Sequence, residues 1–252
     1  MAKEAIVLAG GTNVGKTRTL ISLAWTYPDS QVHIFDPDNK VNLLLEELGL
    51  VGTMPNLFVH PVSPNWQDSL QDKYDSIKEK LTEKDYVCFD MMGRFWDLAQ
   101  AYFAREVFDS TPAQHVIELR KLSKQANFNG FDGLADWPTI KGLHNEGLID
   151  DAILWRPFNV VATTALVPFS PKDKLPKTGA EGMLAQDFNA KLEGEKNNIF
   201  RFNTIGVLYQ AMETGKFFFK IYKHKTKVAI PPLTPYDITG IGFWQGYEEF
   251  KT

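Results

Sequence analysis

Residues 5–27 read AIVLAGGTNVGKTRTLISLAWTY, and three successive patterns divide this stretch. The apolar run at its start predicts a short buried strand, and the glycines after it predict a tight loop. The residues after the loop place apolar side chains every three to four positions, as an amphipathic helix requires. From Gly10 to Thr17 the loop satisfies the pattern G-x-x-x-x-G-K-[ST] without a mismatch, in the strand-loop-helix context where this pattern binds phosphate.

The loop therefore predicts a nucleotide site for ATP and Mg²⁺. Backbone N–H groups of a glycine-rich turn and the N-terminus of the following helix attract phosphate oxygens. Lys16 is expected to reach the β- and γ-phosphates, and Thr17 to place its hydroxyl on Mg²⁺. A chance glycine-rich turn is the alternative, and the strand and helix on either side argue against it. The predicted nucleotide-binding residues are Gly10, Gly11, Thr12, Asn13, Val14, Gly15, Lys16, Thr17 and Arg18.

Outward from the loop, strand and helix patterns alternate and predict an α/β protein, a P-loop NTPase with a mainly parallel central sheet flanked by helices. Residues 94–125 are expected to be helical. TIGVLYQ and KFFFKIYK, separated by a Glu-Thr-Gly turn, predict a C-terminal hairpin at one edge of the sheet. Residues 167–198 lose all periodicity and are expected to form a flexible loop inside a single domain over residues 1–252. The further strand candidates are QVHIFD, DYVCFD and FNVVATTAL.

Catalysis beside a phosphate loop requires carboxylates at the carboxyl ends of neighbouring strands. Asp90, at the end of YVCFD, is the predicted partner of Mg²⁺, and a cap of the next helix is the alternative. Met91 follows it, where many ring-forming and translocating ATPases have a glutamate. The base that orients the attacking water is therefore expected on another strand, where Asp36 and Asp38 lie in HIFDPDNK. A simple Asp-Pro-Asp-Asn turn would explain these two residues without chemistry.

This arrangement resembles the RecA-type recombinases, in which a strand ending in Asp-x-Glu supplies the water-activating carboxylate. Asp38 stands at the glutamate position. KIYKHKTK looks like the strand that carries a Lys-x-Lys pair in this family, with Lys223 and Lys225 as the pair. In the family these lysines reach the γ-phosphate of a neighbouring protomer, which implies a homo-oligomer, either a ring or a filament. An edge strand protected from aggregation by lysines is the alternative.

Two further features extend the resemblance over most of the chain. Thr163 and Thr164 end a predicted strand, where related ATPases often keep a polar residue that senses the γ-phosphate; two β-branched strand residues are the alternative. A helical insertion contains Asp136 and Trp137. The order of motifs is similar to that of the RecA-like nucleotide-binding proteins of tailed bacteriophages. This resemblance implies an ATPase that couples turnover to DNA handling in phage recombination or replication.

Three other functions stay open from the sequence. They are a viral genome-packaging or translocating motor, a nucleotide or small-molecule kinase, and a nucleotide-gated switch that hydrolyses little. A kinase needs a lid with arginines to hold the acceptor, but the segment after Leu166 contains no arginine before Arg201.

The net charge of −4 argues against a protein that coats nucleic acid through overall electrostatics. A local DNA contact is still expected from the resemblance, which places the segment after Leu166 toward DNA, single-stranded or double-stranded. Its candidate phosphate contacts are Lys172, Lys174 and Lys177, offset by Asp173, Glu181, Asp187, Glu193 and Glu195. Because no apolar run approaches the roughly 20 residues that span a bilayer, we expect no membrane partner. The first apolar run leads straight into GTNVGKT, as a buried strand does and a cleavable signal peptide does not, so we expect a cytoplasmic location, that of the host if the protein is viral.

Overall fold

The computed structural model describes residues 3–63, 65–122, 136–171, 173–225 and 234–251. Within these ranges the chain forms nine strands in a mixed sheet. The strands are β1 (Ala5–Gly10), β2 (Val32–Asp36), β3 (Leu57–Pro61), β4 (Tyr86–Phe89), β5 (Asn159–Pro168), β6 (Ala190–Leu192), β7 (Thr204–Gln210), β8 (Phe217–Lys223) and β9 (Tyr236–Asp237).

Helices connect most of these strands. The α-helices are α1 (Lys16–Thr26), α2 (Lys40–Glu47), α3 (Asp72–Lys78), α4 (Met92–Phe108), α5 (Pro112–Leu122), α6 (Asp136–His144), α7 (Gly179–Phe188), α8 (Asn198–Arg201) and α9 (Phe243–Lys251). Three π-helical turns adjoin them, over Gln67–Gln71, Asn145–Ile149 and Asp151–Trp155. In the described part of the chain, every helix is too short or too polar to cross a bilayer.

The sheet order is β3-β2-β4-β5-β1-β7-β8-β9, and β6 pairs with the far end of β5. Neighbours from β3 to β7 are parallel, whereas β8 and β9 are added antiparallel. The predicted α/β fold with a mainly parallel sheet is confirmed, and so is the hairpin of β7 and β8, which lies one short strand from the edge. Because parallel strands all end at the same side, β1, β2 and β4 bring the phosphate loop and the predicted carboxylates to one edge of the sheet.

Both faces of the sheet are buried, which explains the unbroken apolar runs of the central strands. In β1, Ala5, Val7 and Ala9 pack on one side against a core that includes α4. Ile6 and Leu8 pack on the other side, where α1 and α9 lie. The indole nitrogen of Trp244 in α9 donates to the Thr19 carbonyl of α1 at 2.8 Å, so that the C-terminal helix holds the helix that follows the phosphate loop.

Three local features differ from the sequence-based expectation. The helix expected over 94–125 is two helices, because left-handed Asp109 (φ 48°) ends α4 and α5 begins at Pro112, while residues 123–125 lie outside the described residues. Leu57–Pro61, which is not among the strand candidates, forms β3, an edge strand that tolerates a proline. The segment 167–198 contains the end of β5, then α7 and β6, rather than a loop throughout. Buried Leu184 and the pairing of β6 with β5 stabilise this segment through tertiary contacts that no local period reveals.

Candidate nucleotide site

The loop between β1 and α1 has the backbone of a phosphate-binding turn. Asn13 (φ 61°) and Gly15 (φ 89°) adopt left-handed conformations, which bend the chain directly into α1. The free N–H groups at the start of α1 therefore face the loop. Gly10 lies against β7 so closely that a Cβ atom there would be 2.5 Å from the Leu208 carbonyl oxygen and 2.7 Å from Cγ2 of Val14.

Lys16 folds back over this loop. Its Nζ donates to the carbonyl oxygens of Gly10 at 2.9 Å and Gly11 at 2.5 Å. Burial lowers the pKa of the Lys16 ammonium, and the negative charges of Asp90 and Glu193 oppose that shift. The ammonium group is thus partly desolvated and lies over the turn, where it can exchange two backbone acceptors for phosphate oxygens.

Asp90 lies at the centre of a hydrogen-bonded triad. Its Oδ2 accepts from Oγ1 of Thr17 at 2.8 Å, and its Oδ1 accepts from Oγ1 of Thr163. Thr163 in turn accepts from the N–H of Met91 at 2.8 Å. Asp90 is only 1% exposed; burial raises the pKa of its carboxyl, and the two hydroxyl bonds and the charge of Lys16 act against this. The carboxylate bonds no backbone N–H of α4, whose first turn begins after Met91 without a side-chain cap, so the helix-cap alternative does not apply.

The two aspartates of HIFDPDNK behave differently. Asp36 is 1% exposed and accepts from the N–H groups of Val41 at 2.7 Å and Asp38 at 3.1 Å, which makes it the structural residue of the turn. Asp38 accepts from Lys40 Nζ at 2.9 Å and Arg94 Nε at 3.0 Å. Partial burial favours its neutral form, but these two cations outweigh burial and hold the pKa of Asp38 below its ordinary value. In the described part of the chain, Asp38 forms neither a hydrogen bond nor an ion pair with the phosphate loop.

Lys223 and Lys225 lie near the amino-terminal end of β1, whereas the phosphate loop of the same chain follows its carboxyl end. Because β8 is antiparallel, Lys223 pairs with Ile205 near the start of β7. Lys225 Nζ lies 3.3 Å from a carboxylate oxygen of Glu4, just before β1, and donates to the Lys3 carbonyl at 2.5 Å. At about 3.3 Å per residue, β1 separates these two ends of the sheet by roughly 17 Å. Within one chain these lysines therefore do not join the site.

The lysines expected to contact DNA follow the carboxyl end of β5. Lys174 and Lys177 are exposed in the irregular stretch before α7, on the same edge of the sheet as the phosphate loop. Lys172 lies outside the described residues. Asp173 is engaged by Lys191 Nζ at 2.8 Å, so one of the offsetting acids is already neutralised by a residue of β6.

Glu193, one of the acids that offset these lysines, also lies beside the phosphate loop. Its N–H donates to the Ala165 carbonyl at 3.0 Å, and its carbonyl accepts from Oγ1 of Thr164 at 2.9 Å. These two bonds hold Glu193 beside the carboxyl end of β5, and its charge acts on Lys16. No sequence signal identifies it, because its position depends on the pairing of β6 with β5.

No protein-family model matches this chain, and no curated protein is significantly similar to it. In the described ranges, there is also no group of three or more His, Cys, Asp or Glu side chains able to hold a metal ion.

Proposed function

We propose that this chain is a Mg²⁺-dependent ATPase of the RecA-like type that couples ATP turnover to DNA handling in phage recombination or replication. The observation that carries the proposal is the 2.8 Å hydrogen bond between Thr17 of the phosphate loop and buried Asp90 at the end of β4. A chance glycine-rich turn has no reason to lie against a buried carboxylate. In a nucleotide site, this hydroxyl and carboxylate are the two protein groups that Mg²⁺ requires.

The residues present fit the magnesium ion. Thr17 would bind it directly, and Asp90 would order its water ligands, since Mg²⁺ keeps several waters and uses one or two carboxylates with phosphate oxygens. When bound, the ion neutralises charge on the phosphates. Thr163 holds the second oxygen of Asp90 and so fixes the carboxylate in one orientation.

Around the triphosphate, the loop provides charge and backbone donors. The start of α1 supplies N–H groups and the favourable end of the helix dipole. Lys16 supplies a cation whose present acceptors are two backbone carbonyls of the loop, and phosphate oxygens are stronger acceptors for it. This arrangement stabilises negative charge at the β- and γ-phosphates, which is the main requirement of phosphoryl transfer.

The DNA part of the proposal is supported by position. Lys174 and Lys177 are exposed on the stretch that follows β5, and Thr163 and Thr164 of the same strand contact Asp90 and Glu193. The two lysines therefore follow the strand whose threonines contact the residues around the phosphate loop. Phosphate contacts from lysines of this kind bind nucleic acid without reading its sequence.

The test is the ATPase rate of the purified full chain with Mg²⁺, in the absence and presence of single-stranded and double-stranded DNA. Lys16→Ala should reduce nucleotide affinity and turnover by roughly a hundredfold or more, because it removes the cation at the phosphates. Lys84→Ala, an exposed lysine before β4, is the matched control and should change neither. Turnover that persists in Lys16→Ala would overturn the site.

The DNA arms of the same experiment separate the alternatives. Stimulation by DNA supports the coupling, and unstimulated hydrolysis contradicts it while leaving the ATPase in place. Transfer of phosphate to an added nucleotide or small-molecule acceptor would indicate a kinase. Tight ATP binding without turnover would indicate a nucleotide-gated switch.

A further inference from the structure

Glu193 is fixed to the strand beside the phosphate loop. Leu192, the last residue of β6, pairs with Leu166 of β5, and Glu193 continues this pairing through its N–H bond to Ala165. Its carbonyl accepts from Thr164, which lies next to Ala9 of β1 in the sheet register. The backbone of Glu193 is therefore held one strand away from the start of the phosphate loop.

The side chain of Glu193 lies against a glycine at the start of α4. A Cβ atom on Gly93 would be 2.6 Å from Cγ and Cδ of Glu193 and 2.7 Å from Oε2. Gly194 (φ 107°) allows the turn that brings the glutamate there, and it lies against Gly93 itself. Because Gly93 follows Asp90 by three residues, this contact places the carboxylate beside the strand end that carries Asp90.

The carboxylate of Glu193 differs from that of Asp38 in its contacts. Among the described residues it forms neither a hydrogen bond nor an ion pair, although its charge acts on Lys16. Asp38, in contrast, is bonded to both Lys40 and Arg94. A carboxylate that must accept a proton from water needs open lone pairs near the phosphates, and two cations on Asp38 lower its basicity.

We propose that Glu193, rather than Asp38, is the carboxylate that orients the attacking water and accepts its proton. This inference rests on the proposed ATPase function. The water oxygen bonds to the γ-phosphorus, and the bond from that phosphorus to the β–γ bridging oxygen breaks. The electron pair leaves with ADP, and the water proton passes to the Glu193 carboxylate and from there to solvent. Lys16, whose ammonium lies over the phosphate loop, balances the charge of the transferred group.

The test compares Glu193→Gln with Asp38→Asn, each nearly isosteric, for turnover and for affinity toward a fluorescent ATP analogue with Mg²⁺. Glu193→Gln should lose roughly 10²- to 10⁴-fold in turnover and keep its affinity, since the amide cannot accept the proton. Asp38→Asn should keep most of its turnover. Near wild-type turnover in Glu193→Gln would overturn the inference. A wild-type chain that binds ATP without hydrolysing it would instead overturn the proposed function, and with it the inference.

Gly93→Ala gives a second test that does not alter the glutamate. The added methyl occupies the place of the carboxylate, which must move, and alanine favours a helix over glycine. We expect an unchanged or higher Tm with turnover lowered at least tenfold, and no further loss in the double variant with Glu193→Gln. Gly142→Ala in α6 is the matched control, because its Cβ would meet no atom within 4 Å. Turnover equal to that of Gly142→Ala would contradict the proposed place of the carboxylate.

Discussion

Two adjacent glycines of the phosphate loop meet very different surroundings. Gly10 ends β1 with its Cα against the Leu208 carbonyl and Val14, which leaves no space for a side chain. Gly11 faces open space, with no atom within 4 Å of an added Cβ, and it does not adopt a left-handed conformation. The motif requires the first glycine for close packing of the loop on β7, whereas the second is open to substitution.

At Gly10, we predict that alanine lowers both stability and nucleotide affinity. A backbone carbonyl cannot move aside as a flexible side chain can, and overpacking of this kind costs about 1–3 kcal/mol. In a domain of this size each kcal/mol lowers Tm by roughly 2–4 °C. Gly11→Ala is the control and should leave the thermal midpoint and ATP affinity close to wild type. Equal effects of the two substitutions would contradict this distinction.

Among single residues, the sequence predicts those whose role follows from local order. Gly15, Lys16 and Thr17 belong to one continuous motif, and Asp90 ends an apolar strand, so each could be placed before the structure. Glu193 could not, because residues 167–198 show no periodicity and its position depends on contacts with β5 and Gly93. The ion pair of Asp38 with Arg94 could not be predicted either, since Arg94 lies on α4, far along the chain.

A pair of histidine side chains, His33 of β2 and His60 of β3, lies in contact across these two paired strands. Nδ1 of His33 lies 3.0 Å from Nε2 of His60, and the two rings are nearly parallel. Burial, reinforced by a neighbouring charge, lowers the pKa of each ring to about 4; for His33 that charge is His60, with Asp85 acting in the opposite direction, and for His60 it is Lys73. A shared hydrogen bond requires at least one neutral ring, so double protonation breaks the contact.

This pair predicts that the fold loses stability in mild acid. The folded-state pKa values lie below the ordinary value of 6.5, so the neutral pair contributes fully above pH 6.5, and its contribution falls as the pH drops from 6.5 toward 4. We expect Tm to decrease over this interval in wild type and to decrease less in His60→Gln, which removes one titrating ring. Thermal unfolding followed by circular dichroism between pH 4 and pH 8 measures both slopes. If Tm falls equally with pH in wild type and in His60→Gln, other groups cause the acid sensitivity.

At the scale of secondary structure, the sequence predicts the elements whose apolar residues follow a strong local pattern. The strands β1, β2 and β4 are buried on both faces, and their apolar runs identified them. Edge strand β3 contains Pro61 and is only partly buried, so its pattern is weak. Helix α7 contains two glycines and buries only Leu184, and it depends on packing rather than on its own sequence.

At the scale of the whole molecule, the lysine pair and the phosphate loop lie at opposite edges of one sheet. A single chain therefore cannot bring Lys223 or Lys225 to its own triphosphate. The role that the RecA resemblance implies for them requires a second chain, whose loop edge would face the lysine edge of the first. Such head-to-tail contacts generate rings or filaments.

We therefore predict that specific ATPase activity rises with protein concentration, and that this rise is lost in Lys225→Ala. The control is Glu4→Gln, because Lys225 lies 3.3 Å from a Glu4 carboxylate oxygen in its own chain. If Lys225 acts across an interface, Glu4→Gln keeps the concentration dependence, and sedimentation shows that it still assembles. If the lysine serves only contacts within its own chain, both variants lower Tm and neither changes the turnover of each folded chain. Activity that is constant with dilution in the wild type would contradict an assembled active site.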